Sequence, residues 1–347
     1  SVRQSLCVSR EGVPLLHELL RLEGGDALQR GTCGLGGQPV AATLFAVGRG
    51  NDPDQSDNEA GNGAGGGDTG QAERDLAALE AFYAPAFPGL PVFYNDRSQS
   101  NSRISNALAP EQIAAAHEPR LFQEMGVTYR FQARHAGQDP WLFLDLRAGR
   151  RRVMQEIAGK SLLNLFAYTC GVGIAAAKAG AAHVVNVDFS ESSIAIGKEN
   201  SRLNDLPVRL RFVKSDVFAA LRQLSGQGQA QMVRGKRMPP FPKMEAHPFD
   251  VVFLDPPRYA KSPFGVVDLV NDYAALFKPA LLSTLEGGTL ICCNNVAEVS
   301  REGWLDLLER SARKAGRGIN GVEWIEPEAD FPSSDGQAPL KMVLLRV

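Results

Sequence analysis

The stretch from Leu162 to Asp188, LLNLFAYTCGVGIAAAKAGAAHVVNVD, constrains the fold more than any other part of the chain. The apolar run Leu162 to Phe166 is short and flanked by loop residues, as a strand covered on both faces must be, and it predicts the central strand of a parallel sheet. Gly171 and Gly173 let the following turn bring its backbone close to a ligand. The alanine-rich helix expected over 172–180 then offers free amide donors at its start, which suits an anionic or carboxylate-bearing ligand. The next run, HVVNVD, ends in Asp188, where a carboxylate can accept both hydroxyls of a ribose. A dinucleotide and S-adenosyl-L-methionine both satisfy this outline.

Glycines and an aspartate at a strand edge can also do no more than shape a turn. Two further features weigh against that. After a helix expected over 191–204, LRFVKSD reads as a third strand ending at Asp216, and FDVVFLDPPRY as a fourth whose last residue, Asp255, opens a proline-stiffened loop. Carboxylates at three successive strand ends converge on the ligand crevice of a doubly wound α/β sheet.

Taken together, these motifs resemble the class I S-adenosylmethionine-dependent methyltransferases, with FAYTCGVG as the cofactor loop, Asp188 as the ribose ligand, Asp216 beside the adenine and DPPRY as the catalytic loop. Within that superfamily the chain is similar to the ribosomal RNA methyltransferases of the RlmI and RlmK type. FLDLR from Phe143 to Arg147, NLFAYT, DPPRY and the late CNN carry the likeness, which covers roughly 127–347. It implies a Rossmann-like, seven-stranded α/β fold whose last strand is antiparallel, with S-adenosyl-L-methionine as cofactor and ribosomal RNA as partner. The implied donor contacts are Asp145 and Arg147, then Asn164, Phe166, Tyr168, Thr169 and Gly171, then Asp188, Phe189 and Ser190, then Asp216 and Val217, and finally Asp255.

Methyl transfer from a sulfonium is an in-line displacement, so the protein has chiefly to orient donor methyl and acceptor atom. A DPPY tetrad is associated with exocyclic amines. Here Arg258 separates Pro257 from Tyr259, as in the DPP-x-aromatic form of the ribosomal RNA group, which implies a catalytic set of Asp255, Pro256, Pro257 and Tyr259 with Tyr259 stacked on the target base. The alternative is a proline-shaped loop with Tyr259 packed inward.

Carbon 5 of cytosine can be methylated only after a thiolate adds to the ring, as in the RlmI type. Aligning the GG turn of this chain puts Asn295 where that cysteine would stand, while Cys292 and Cys293 fall earlier, inside an apolar strand, where at least one should point into the packing. CCNN instead resembles the SNN of the RlmK type, which modifies guanine N7, an atom with a free lone pair and no proton. The expected product is therefore guanine N7-like. Asn294 and Asn295 would contact the base or hold the DPPRY loop.

The formal net charge of −2 over 347 residues argues against bulk attraction to nucleic acid, so any RNA contact must be local. Two cationic patches are candidates: Arg147, Arg150, Arg151 and Arg152 in RAGRRR, and Arg234, Lys236, Arg237 and Lys243 in a polar, proline-rich insert from Gly226. The five cysteines form an odd set without metal-ligand spacing, so reduced thiols and no metal are expected. No apolar run is long enough to cross a bilayer. The cytoplasm is the expected compartment, and the initial Ser1 leaves a removed organelle-targeting segment open. Oligomeric state is not legible.

Residues 1–120 would form an N-terminal α+β extension of unknown role, with an amphipathic helix, a glycine-rich hairpin around 32–48, a disordered linker over about 50–71 and a helix over 72–83. VFYNDRSQSNSRISNAL reads as irregular. The methyltransferase domain would span 125–347: a hairpin over 127–145 delivers Asp145 and Arg147 on its second strand, and the core runs from 152 to 347 with a helix over 266–285, strand GGTLICC, a further helix and a terminal strand pair. Rival readings are a methyltransferase for a small molecule or a protein, a 5-methylcytosine enzyme, and a catalytically idle RNA-binding relative. A nicotinamide dehydrogenase fits poorly, because YTCGVG lacks the spaced three-glycine fingerprint.

Overall fold

The computed structural model describes residues 118–132, 141–206, 209–328, 331 and 340–347, the backbone of three strands before them, and residues 81, 114 and 117. The chain divides into two compact units, Ser1–Phe122 with Phe131–Pro140, and Gln123–Arg130 with Trp141–Val347. In the first, β1 (Leu28–Leu35) and β2 (Gln38–Ala46) form an antiparallel hairpin with a register shift between Cys33 and Gly34, and β3 (Val92–Asp96) adds parallel to β2. The segment 92–96, expected to be irregular, is therefore a strand: Val92, Phe93 and Tyr94 are strong β-formers. The expected linker over 50–71 and the first amphipathic helix lie outside the described residues, as does the helix over 72–83 apart from Ala81.

The second unit is built on a seven-stranded sheet. Its strands are β6 (Ser161–Leu165), β7 (His183–Asp188), β8 (Arg209–Lys214), β11 (Phe249–Leu254), β14 (Thr284–Asn294), β15 (Gly321–Ile325) and β16 (Lys341–Arg346), in the order β15-β16-β14-β11-β6-β7-β8. All neighbours from β14 to β8 are parallel, and β16 runs antiparallel to both β14 and β15. The near-continuous burial of β6, β7 and β11 reflects helices on both faces, which is why these strands lack polar alternation.

Helices α1 (Arg147–Glu156), α2 (Gly171–Lys178), α3 (Glu191–Leu203), α4 (Val217–Leu224), α5 (Ala274–Leu282) and α6 (Arg301–Lys314) cover the sheet. One core lies under α4, α5 and α6, with Phe218, Phe277 and Trp304. The other lies under α1 and α2, with Val153, Phe253 and Met342. Ser190, Asp216 and Ser300 begin α3, α4 and α6 and accept backbone N–H groups of the first turns, a capping worth about 1 kcal/mol each.

Three expectations fail here. The helix foreseen over 266–285 starts only at Ala274, because β12 (Tyr259–Ser262) and β13 (Gly265–Asp268) form a hairpin first. Pro263 sits in its turn, and the Ser262 hydroxyl accepts the Phe264 and Gly265 amides. The hairpin foreseen over 127–145 is also shifted. β5 (Val127–Phe131) pairs with the preceding β4 (Arg120–Glu124), through a turn in which Met125 and Gly126 both have positive φ, 51° and 76°. That two-residue geometry matches strand twist and favours glycine, so MG was the overlooked signal. Asp145 then lies in a short 3₁₀ turn, Leu144–Leu146, and Arg147 opens α1 instead of ending a strand.

Candidate active site

Strand register places the rim. Leu254 of β11 pairs with Leu165 of β6, and Leu165 with Val187 of β7, so the next residues, Asp255, Phe166 and Asp188, follow in one row on three adjacent strands. Neighbouring strands lie about 4.8 Å apart, which separates the two carboxylate-bearing backbones by roughly 10 Å. Asp216 follows on the fourth strand, two residues beyond Lys214, which pairs with Asp188. The convergence read from the sequence is thus present in the geometry.

Asp188 is 5% exposed, and each carboxylate oxygen accepts one amide: Oδ2 from Tyr168 and Oδ1 from Ser190, both at 2.8 Å. A carboxylate oxygen has a second acceptor position, so both can still take a ribose hydroxyl. Phe189 beside it is 67% exposed, a large apolar face set at the rim, and Val217 lies buried at the start of α4. These groups fit an adenosyl ligand: acceptors for a diol next to an apolar surface for a base.

Burial raises the Asp188 pKa above 3.8, partly offset by the backbone amides that face the carboxylate, that of Ser190 most. A raised folded value means this group's contribution to stability is fully present below the unfolded pKa and is lost as pH rises through the folded one. Ligand binding runs the other way, since ribose hydroxyls need the ionised form. Donor affinity should therefore fall on acidification at a pH above the ordinary aspartate range, and a binding titration across that range should show the fall vanish in Asp188→Asn.

The donor loop between β6 and α2 departs from ordinary backbone. Phe166, Tyr168 and Cys170 have φ of 55°, 50° and 62° without being glycine. Gly171 opens α2, and Gly173 two residues later lets the helix press on β7: a Cβ there would sit 2.0 Å from Asn186 Oδ1. Asn186 in turn accepts from Asn164 Nδ2 at 2.9 Å. Gly173→Ala should break this buried pair and cost on the order of 2–3 kcal/mol, read as a lower denaturant midpoint.

Several residues expected at the ligand are otherwise engaged. Asn164 is 2% exposed and bound to Asn186 within the sheet, two positions before Phe166 at the rim. The Thr169 hydroxyl donates to the Trp141 carbonyl. Arg147 is held by Glu124 at 3.0 Å and Glu328 at 3.3 Å over the Phe331 ring, and Asp145 is buried in the 3₁₀ turn. RAGRRR is not a free cationic patch either. Arg150 is 1% exposed and forks onto Glu124 at 2.6 and 2.9 Å, Arg151 pairs with Glu328, and Arg152 with Glu323 and Glu156.

On the acceptor side, Pro256 is buried, Pro257 half-buried and Tyr259 53% exposed, so the inward-packed alternative for the tyrosine does not hold. Tyr259 rides on β12 with Lys261 Nζ 5.5 Å over its ring, and Arg258 lies 3.6 Å from Glu298. Sequence reading missed Lys261, for which only the i, i+2 spacing on a strand gives a signal. Cys292 pairs with Leu254, which sets Cys293 level with Asp255, yet both thiols are buried and enter opposite cores. Burial pushes the Cys292 thiol up to about 12. Asn294 is fully buried, accepting from the Val296 amide and donating to the Leu269 carbonyl, so it holds the loop and does not reach the surface. Asn295 is 8% exposed, and its Oδ1 has no hydrogen-bond partner among the described residues.

Arg234, Lys236 and Arg237 are exposed on a small hairpin of β9 (Met232–Val233) and β10 (Lys236–Arg237). Their insert enters β11 at Phe249, the end of that strand away from Asp255, so the structure does not bring them to the rim. Further along, the insert returns toward it: Phe241 meets Phe264 of the β12–β13 turn edge-on, with ring centroids 5.6 Å apart.

Comparisons with known proteins agree with this geometry. Residues 116–346 match the family described as S-adenosylmethionine-dependent methyltransferase. A ribosomal RNA large subunit methyltransferase I of Aeromonas salmonicida is 30% identical over 218 residues, 62% of this chain and 50% of the relative. One of Shewanella denitrificans is 28% identical over 268 residues, 76% and 62% respectively. The chain thus spans about half the length of the first curated relatives it matches. Among solved structures, a SAM-dependent methyltransferase from Streptococcus mutans superposes with a TM-score of 0.62 at 21% identity, covering 89% of this chain and 69% of its own. A methyltransferase solved with SAH gives 0.63 at 20%, covering 97% and 80%. No helix among the described residues is long and apolar enough to cross a membrane. The rim, the strand order and the match over 116–346 lead to one conclusion: the chain belongs to the S-adenosylmethionine-dependent methyltransferase family.

Proposed function

We propose that the chain methylates a base of ribosomal RNA from S-adenosyl-L-methionine, at a ring nitrogen such as guanine N7 and without a cysteine nucleophile, and that it works in the cytoplasm. The RNA acceptor is supported by the names of the curated relatives at about 30% identity. The observation that carries the nucleophile-free chemistry is at the end of β14. Both cysteines are packed into the sheet, and Asn295, the first residue after β14, offers no thiol.

When bound, the donor supplies an electrophilic methyl carbon. Phe166, Tyr168, Gly171, Asp188, Phe189, Ser190, Asp216, Val217 and Asp255 hold it along the rim in this reading, with Asp188 taking the ribose. Tyr259, exposed on its hairpin, stacks on the acceptor base, and Lys261 beside it donates to the same nucleotide. Pro256 and Pro257, which carry no N–H, keep the loop stiff and present acceptors only. Asn295 offers its unengaged Oδ1 to an N–H of the base. A ring nitrogen with a free lone pair needs no thiolate and no general base, which matches two cysteines whose thiols are buried in the sheet packing. We assign 125–347 to this catalytic domain and leave 1–120 as an appended region. The exposed Arg234, Lys236 and Arg237 contact RNA phosphates away from the target base.

The experiment is nucleoside mass spectrometry of ribosomal RNA incubated with the protein and labelled donor. Label in 7-methylguanosine, retained in Cys292→Ala and Cys293→Ala, is the expected result. Labelled 5-methylcytosine that disappears in Cys293→Ala would overturn the nucleophile-free chemistry.

A further inference from the structure

The donor loop stores strain that something must hold. A left-handed conformation costs a non-glycine residue on the order of 1 kcal/mol or more, and Phe166, Tyr168 and Cys170 adopt it at alternate positions within five residues. Such a segment relaxes unless its surroundings over-determine it. Asp188 holds one point, through the Tyr168 amide.

Two other restraints come from residues outside the rim. The Tyr129 hydroxyl of β5 donates to the Gly171 carbonyl at 3.2 Å, and Asn200 Nδ2 of α3 donates to the Thr169 carbonyl at 3.2 Å. Both side chains are almost wholly buried, at 0% and 1% exposure. Burial raises the Tyr129 pKa, which keeps the phenol a donor at any working pH. The two restraints are one device. Asn200 Oδ1 accepts the Arg130 amide at 2.7 Å, and Asn204, one helical turn on, accepts the Thr128 amide at 2.8 Å and returns a hydrogen bond to the Thr128 carbonyl at 2.6 Å. Asn200 in the last turn of α3 and Asn204 at its C-terminal cap therefore stand in for a neighbouring strand along the open edge of β5, and Asn200 passes the restraint on to the loop.

We propose that Tyr129 and Asn200 are positioning residues that clamp the strained donor loop in its donor-accepting form, so that methyl-donor affinity depends on side chains that never touch the donor. This rests on the assignment of 166–171 as the donor loop. A loop released from the clamp spends part of its time in relaxed conformations, and apparent affinity falls by the fraction lost.

Calorimetric titration of the full chain with S-adenosylhomocysteine, paired with amide hydrogen exchange of the ligand-free protein, tests this. Tyr129→Phe keeps the ring in the core and removes one hydroxyl. It should weaken binding about 5- to 50-fold and speed exchange at 166–171, while kcat at saturating donor and exchange in β11 and β14 stay at wild-type values. Asn200→Ser, read the same way, serves if Tyr129→Phe does not fold. Asp188→Ala separates the two claims. If it binds as tightly as wild type, the donor-loop assignment is wrong. If it loses binding while Tyr129→Phe keeps wild-type affinity and wild-type exchange at 166–171, the clamp is wrong.

Discussion

Asp188→Ala should raise the donor dissociation constant by about 10²-fold or more, because it removes both hydroxyl acceptors and at the same time frees the loop. The carboxylate is 5% exposed and carries the amides of Tyr168 and Ser190, one on each oxygen. Truncating one partner of a buried, charge-assisted hydrogen-bonded set typically costs about 2–5 kcal/mol, much of it from the groups left unpaired. Asp188→Asn should fall between the two, since its amide keeps one acceptor and presents its nitrogen to a backbone donor. Titration with S-adenosylhomocysteine measures both. An alanine variant within threefold of wild type would mean that the diol is bound elsewhere.

The largest effect on stability is expected from Glu124→Ala. Glu124 is the shared acceptor of Arg150 and Arg147, and its loss strands a guanidinium that is 1% exposed and that, among the described residues, otherwise donates to the Phe143 carbonyl. Breaking a buried pair from one side costs about 3–5 kcal/mol, whereas replacing both partners with apolar residues of similar volume is often neutral. The single variant should therefore show a denaturant midpoint far below wild type, and Glu124→Leu with Arg150→Met should recover most of it. Equal losses in the single and double variants would show that the pair's charges are not what the site depends on.

This cluster also shows what the sequence could and could not say. RAGRRR looked like a surface for RNA because, Glu156 one turn on from Arg152 apart, its acidic partners Glu124, Glu323 and Glu328 are separated from it by roughly 25 to 180 positions in the chain and only the fold brings them together. Strand periodicity, by contrast, is local. The runs around Leu163, Val185 and Val252 identified the central parallel strands, and with them the row of Asp255, Phe166 and Asp188, because each carboxylate follows its apolar run directly. Asn164 and Thr169 were read as ligand contacts from their place in the motif. The structure uses them inside the sheet and against Trp141, a choice made by side-chain direction that spacing does not encode. Strand β13 was lost inside an expected helix because VVDLV suits either period, and Ser262 and Pro263 in the turn before it decide it.

The central claim is tested most directly by incubating the protein with ribosomal RNA and methyl-labelled S-adenosyl-L-methionine, digesting the RNA and identifying the labelled nucleoside. A methyl group on a guanine ring nitrogen, abolished by Asp188→Ala and untouched by Cys293→Ala, is what the proposed function predicts. Label confined to protein or small molecules, with none in any nucleoside, would contradict it.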